Sequence, residues 1–250
     1  MTNARLIGQL AGVAVSVAVL ASPAARAETV SVAVAANFTA VAEQLAPLFK
    51  AETGHDALYS FGATGQLYAQ ISQGAPFEVL LAADDERPAL AVTEGLAVEG
   101  TVFTYAIGAL ALYSTSMDLG DGEAVLRADA FDKLAIADPE TAPYGRAAVE
   151  TLMALGQTEV IMPKLVTGEN ISQTLQFIES GNAELGFVAA SQVIGKTSAW
   201  LVPAALHEPI RQDAVLLKTG EANPAAMAYL QFLRSDAARV VIEAAGYRVE

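Results

Sequence analysis

Four short stretches of the chain place small or neutral hydrogen-bond donors where a strand-like run gives way to a helix-like one. They are Ala35-Ala36-Asn37-Phe38, the turn Gly62-Ala63-Thr64-Gly65, the loop Asp138-Pro139-Glu140-Thr141-Ala142-Pro143-Tyr144-Gly145, and Glu169-Asn170-Ile171-Ser172. In an open α/β sheet a ligand sits beyond the carboxyl ends of the strands, against helix starts. A helix start offers unpaired N–H groups and the positive end of a dipole, which suits an anion. None of the four stretches carries His, Cys, Lys or Arg; Arg146 lies just past the third. The chemistry they support together is the holding of an anion by neutral donors. Each residue also has a plainer use: by type alone Asn37 reads first as a helix cap, Thr64 as a turn-stabilising hydroxyl, and Tyr144 as an aromatic packing on its loop.

Other chemistries find little support. The chain has no HExxH, CxxC, GxGxxG, GxSxG or P-loop pattern. Its two histidines, His55 and His207, sit far apart in polar settings and read as solvated loop residues. Asp84-Asp85-Glu86 reads as a helix start rather than a cation site. A nucleophile without a base is idle, so an enzyme acting on an anionic ester is the weaker alternative, and no catalytic residue is assigned.

The first 27 residues have the form of a secretory signal: Arg5, an apolar run over 6–20, then Ala25-Arg26-Ala27. Cleavage before Glu28 removes two arginines and leaves 12 basic against 28 acidic residues, a formal charge of −16. Such a field argues against nucleic acid or an acidic membrane surface as partner. With no cysteine, neither disulfides nor an N-terminal lipid anchor is available, which fits an exported, periplasmic protein.

Positioning four helix starts around one ligand requires repeated βα units, and the pattern supplies them. Apolar, β-branched runs recur at 29–35, 77–82, 109–113, 133–137, 183–188 and 214–217, with a further strand at 58–61. Several are nearly continuous, as expected of strands covered on both faces. Between them, Val41, Leu45, Leu48 and Phe49 form a helical stripe, and Leu152/Leu155, Leu175/Ile178 and Leu230/Leu233 pair at i, i+3. Gly54, Gly74, Gly95, Gly156, Gly181 and Gly246 stand where left-handed helix ends are wanted. The fold class is α/β with mostly parallel sheets. The stretches 103–109 and 203–214 could change lobes; the division into a lobe of residues 28–104 plus 212–250 and a second of 105–211 is not fixed by periodicity and rests mainly on the family resemblance that follows.

At the four junctions the sequence resembles the periplasmic molybdate-binding proteins, the solute receptors of molybdate ABC importers. The resemblance spans essentially the whole chain after residue 27. It is carried by "VAVAANFTAVAEQLAPLFKAETG", "YSFGATGQLYAQISQGAPFEVLLAADDERPALAVTEGLA", "IADPETAPYGRAAVETLMALG" and "ENISQTLQFIESGNAELGFVAASQV", with the DPxxxPxG loop its most specific part. It implies a two-lobed type II binding-protein fold with two crossover strands and a tetrahedral oxyanion, molybdate or tungstate, in the cleft. The metal, molybdenum, would then be held only through its oxygens, with no other cofactor. Implied contacts are Asn37 through its amide and backbone, Thr64, and the backbone N–H groups of Tyr144 and Ile171, with Ala36, Ala63 and Asn170 beside them. Where some members project a tyrosine hydroxyl this chain has Ala189, and the Tyr144 phenol is a candidate replacement. The implied partner is an inner-membrane ABC permease, and the implied state a monomer. Within the same fold, sulfate or thiosulfate remains an alternative ligand, and a sensor module an alternative role.

Overall fold

The computed structural model describes residues 27–250, so the proposed signal segment lies outside the described residues apart from Ala27. In chain order the elements are β1 (Thr29–Ala35), α1 (Thr39–Thr53), β2 (Asp56–Gly62), α2 (Thr64–Ser72), β3 (Val79–Leu81), α3 (Glu86–Thr93), β4 (Phe103–Gly108), β5 (Leu110–Ser114) and α4 (Gly122–Ala128). There follow β6 (Leu134–Ala137), α5 (Pro143–Ala154), α6 (Thr158–Ile161), β7 (Leu165–Gly168), α7 (Ile171–Glu179), β8 (Leu185–Ala189), β9 (Ala199–Leu201), β10 (Ile210–Leu216), α8 (Pro224–Leu233) and α9 (Asp236–Ala244). Short 3₁₀ turns fill several junctions, among them Ala36–Phe38 between β1 and α1 and Ala190–Val193 after β8.

The strands form two five-stranded sheets, β2-β1-β3-β10-β4 and β7-β6-β8-β5-β9. In each, the first three strands pair in parallel, and the fourth runs antiparallel to both its neighbours. Four of five strands in each lobe therefore share one direction. The reversed strands, β10 and β5, are the ones that receive the chain from the other lobe. Crossing occurs at Ala109, between β4 and β5, and again between β9 and β10. The first crossing is later than residue 104 because β4 stays hydrogen-bonded to β10 as far as Gly108.

Both faces of each sheet are covered, which explains the nearly continuous apolar runs. Along β1, Val30, Val32 and Val34 enter one core with Phe38, Leu45 and Tyr229, while Ala33 enters another with Leu67, Ile71 and Leu80. In the second lobe Leu110 and Leu112 face the side packed by α5, whereas Ala111 and Tyr113 face Ile178 of α7. Successive side chains of a strand point to opposite faces, so a sheet buried on both sides has little place for polar residues. The six glycines expected to end helices all have positive φ, from 67° to 88°.

The lobes are closed against each other. Gly65 N donates to Thr141 O at 2.8 Å, Ser172 Oγ to Ala36 O at 3.2 Å and Arg87 Nη2 to Glu140 O at 3.2 Å. Arg146 pairs with Glu86 across the same cleft at 3.1 Å.

Candidate functional site

A small cavity, about 10 Å³ in this closed form, lies between the lobes, lined by Ala35, Ala36, Asn37, Gly62, Ala63, Thr64, Ala83, Ala142, Pro143, Tyr144, Asn170 and Ile171. Every lining side chain is uncharged. All four junctions singled out in the sequence converge on it, two from each lobe.

Each junction presents its donor for a local reason. At the first, the alanines leave the backbone of the turn accessible, and Ala35 at the cap position has no side chain to occupy the following N–H groups. At the second, Ala63 precedes α2 and again makes no side-chain cap. Thr64 Oγ1 accepts from Ala83 N at 2.9 Å, which fixes the oxygen and leaves its proton to donate elsewhere.

The third junction is held by Asp138. Its carboxylate accepts from Glu140 N at 3.0 Å and Thr141 Oγ1 at 3.1 Å, and its carbonyl accepts from Ala142 N at 2.8 Å. Pro143 then opens α5 without an N–H, so the first backbone donor of that helix is Tyr144. Gly145 lets the turn sit directly on the end of β6: a Cβ there would stand 2.1 Å from Ala137 O. At the fourth, Asn170 Oδ1 caps α7 by accepting from Ser172 N at 3.0 Å and Gln173 N at 3.1 Å. That leaves the N–H of Ile171, the first residue of α7, without a capping partner. The N–H groups of Asn37, Thr64, Tyr144 and Ile171 have no acceptor among the described residues.

Three sequence expectations change. The Asn37 amide does not offer its NH₂ to the cavity: Nδ2 donates to Gln212 Oε1 at 2.9 Å and to Tyr247 OH at 3.0 Å, so its backbone N–H is the remaining donor. The Tyr144 hydroxyl lies against Gly108 and accepts from Gln212 Nε2 at 3.1 Å, and neither of those residues lines the cavity, so the phenol does not stand in for a missing hydroxyl there. Burial first, then the neighbouring Tyr247, holds its pKa well above that of a free phenol, so it stays protonated. Ala189 is fully buried at the end of β8, where its N–H donates to Gln192 Oε1 at 3.1 Å, and it does not line the cavity. Asn170 lines the cavity, but its side-chain oxygen serves as a helix cap.

The remaining candidates fall outside the cavity. His55 is buried rather than solvated, its Nδ1 accepting from Glu28 N at 3.1 Å beside the Phe49 ring. No group of three or more His, Cys, Asp or Glu among the described residues is placed to hold a metal ion. Asp84 serves the start of α3, accepting from Arg87 N at 3.0 Å and pairing with its guanidinium at 2.6 Å. Arg146 is engaged by Glu86 and leaves the cavity without a guanidinium. Sequence reasoning missed Gln212, Tyr247, Tyr105 and Ser191, which support the site from behind. Nothing local marks Gln212, which stands between Arg211 and Asp213 in β10 and reads there as one of three polar residues.

Comparison with known proteins agrees with this geometry. A sequence profile described as bacterial extracellular solute-binding protein matches residues 30–248. The molybdate-binding protein ModA of Rhodobacter capsulatus is 53% identical over 234 residues, covering 92% of both chains. The solved periplasmic molybdate-binding protein of Azotobacter vinelandii superposes with a TM-score of 0.83 at 35% identity, covering 88% of this chain and 99% of that one. The sulfate-binding protein SubI of Mycobacterium tuberculosis superposes with a TM-score of 0.70 at 12% identity over 89% and 87% of the two chains, a likeness of fold alone.

Proposed function

We infer the function from the family: the chain belongs to the bacterial extracellular solute-binding proteins and, within them, to the molybdate-binding proteins. It is an exported receptor that captures molybdate between its lobes. The observation that carries this reading is the convergence of four helix starts, two per lobe, on one small cavity with uncharged walls.

The physics suits a tetrahedral dianion. Backbone N–H groups of Asn37, Thr64, Tyr144 and Ile171, with the Thr64 hydroxyl, would replace its hydration shell from several directions. Hydrogen bonds to a charged group contribute about 1.5–3 kcal/mol each, and helix dipoles aimed at the site add to them. Contacts from both lobes make binding and closure one event, because only the closed form offers the whole set. Ala36 and Ala63 make room for a bulky oxyanion, and cavity size separates molybdate and tungstate from sulfate, whose bonds to oxygen are shorter. Tungstate, nearly the size of molybdate, is expected to bind as well.

The proposed setting is the periplasm, where the protein would act as a monomer and deliver its ligand to an inner-membrane ABC permease. No cofactor besides the ligand is called for. Isothermal titration with molybdate, tungstate and sulfate tests the reading. The two oxymetalates should bind at sub-micromolar concentration and sulfate far more weakly; equal affinity for all three would refute the size argument.

A further inference from the structure

Behind the anion cavity, a buried polar cluster joins groups that the oxyanion reading leaves unused. Its centre is Gln212 on β10, fully buried. Its Oε1 accepts from Asn37 Nδ2 at 2.9 Å and from Tyr105 OH at 3.1 Å, and its Nε2 donates to Tyr144 OH at 3.1 Å. Asn37 belongs to the first-lobe turn at the cavity and Tyr144 to the second-lobe helix start, so one side-chain amide is bonded to both halves of the site.

The surroundings are shaped for this arrangement. Pairing between β10 and β4 passes from Gln212 opposite Ala106 to Asp213 opposite Thr104, skipping Tyr105. Such a bulge re-aims side chains, and here Tyr105 and Gln212 come together. Gly108, the last residue before the crossing, provides the space: a Cβ there would stand 2.1 Å from Tyr144 OH and 2.7 Å from Gln212 Nε2. A second interlobe bond lies alongside, Ser191 Oγ to Tyr247 OH at 2.9 Å. The same Tyr247 hydroxyl donates to Asn37 O at 2.9 Å.

We propose that Gln212 is a positioning residue that latches the closed form, through a hydrogen bond to Tyr144 OH made only when the lobes meet. Gln212 travels with the first sheet and Tyr144 with the second, so opening the cleft parts them. A contact present in one state alone shifts the equilibrium toward that state. Apparent affinity then scales with the closed fraction, even though Gln212 touches no ligand. The proposal rests on the oxyanion reading for its affinity readout, and its conformational readout is independent of the ligand.

The experiment compares wild type with Gln212→Met, which keeps volume and deletes the amide, and Tyr144→Phe, which deletes only the hydroxyl and keeps the backbone donor. Molybdate affinity is measured by titration, and interlobe distance by spin labels on the two lobes, with and without molybdate. Each single variant should weaken molybdate binding about tenfold and move the ligand-free distances toward the open form, with saturating molybdate restoring the wild-type distance. Because both remove the same bond, the double variant should lose little more than Gln212→Met alone. Unchanged affinity and distances in the folded variants would overturn the proposal, as would losses that add fully. Failure of wild type to bind molybdate would instead overturn the oxyanion reading, and the ligand-free distances would still decide the latch.

Discussion

Replacing Thr64 by valine separates the duty its hydroxyl performs in the fold from the one proposed for it at the ligand. In the structure Oγ1 accepts from Ala83 N at 2.9 Å, and both residues are buried in the first lobe, at 1% and 2% exposure. Valine keeps the shape but leaves that N–H unpaired, which costs roughly 1–3 kcal/mol of stability. Since Thr64 and Ala83 move together, this cost is the same in the open and closed forms and cancels from the binding constant. What does not cancel is the donation proposed for the hydroxyl toward the oxyanion, about 1.5–3 kcal/mol for a bond to a charged group. At 1.4 kcal/mol per tenfold, that is a loss of roughly 10- to 150-fold in molybdate affinity. Titration calorimetry reads the affinity, and scanning calorimetry of the ligand-free protein reads the stability. Thr64→Ser should stay near wild type in both. A Thr64→Val protein that melts earlier yet binds molybdate within twofold of wild type would show that the hydroxyl serves the backbone alone.

Two further outcomes follow from charge. Asp213 is buried with Oδ1 lacking a hydrogen-bond partner among the described residues, and its pKa is raised, chiefly by desolvation and against the pull of Thr104. A raised pKa means that the folded state favours the proton, so this carboxyl's contribution is fully present below the unfolded pKa and is lost as pH rises through the folded value. Asp213→Asn should therefore gain stability relative to wild type as pH rises from 4 to 7, by about 2–4 °C in melting temperature per kcal/mol recovered; a difference between the two proteins that stays flat or shrinks over that range would refute this. Separately, the acidic chain, formally −14 before any processing, should repel an anionic ligand at long range. Stopped-flow association rates should rise with ionic strength as screening shortens that repulsion, and rates that fall would count against the neutral-donor account.

Most of the sheet strands and the four junctions were legible because their signals are local, whereas β4, β7 and β9 were not read as strands. An apolar run that alternates between two covered faces, as in β1, needs no knowledge of its neighbours to be read as a strand. The same holds for Asn170, whose capping bonds reach only two and three residues ahead. Asn37 shows where local reading ends. Its residue type permits capping or ligand contact, yet the fold gives its amide a third use, bonded to residues 175 and 210 positions away. Tyr144 is similar: its backbone role follows from Pro143 beside it, whereas its hydroxyl is assigned by Gln212, 68 residues on. Strand β7 went unread because only two of its four residues, Leu165 and Val166, are apolar, and its place beside β6 is set by tertiary pairing. His55 was misread because burial against Phe49 depends on how the end of α1 meets β2.

The absence of charge from the cavity wall bears on selectivity as well as affinity. The contacts proposed for the ligand are all donors, which satisfy a ligand whose oxygens are all acceptors but offer nothing to a proton carried on it. A hydrogenphosphate would bring one O–H into the cavity and leave it facing N–H groups, the kind of unpaired buried donor that costs about 1–3 kcal/mol. Lysine or arginine would not discriminate in this way, since a mobile cation can draw back from a protonated oxygen and still gain from the net charge. The proposed donors cannot draw back in that way: the backbone N–H groups sit at the starts of helical turns, that of Ile171 beside the Asn170 cap and that of Tyr144 after Pro143 and the Asp138 loop, and the Thr64 hydroxyl is held at its oxygen by Ala83. On the proposed function, rigid, one-sided hydrogen bonding should select the fully deprotonated oxyanion, while the dimensions of the closed cavity should select among those. The two criteria come from different parts of the chain, the first from the helix starts and the second from how far the lobes close. A change at the Gln212 latch should therefore lower affinity for molybdate and tungstate together without admitting hydrogenphosphate.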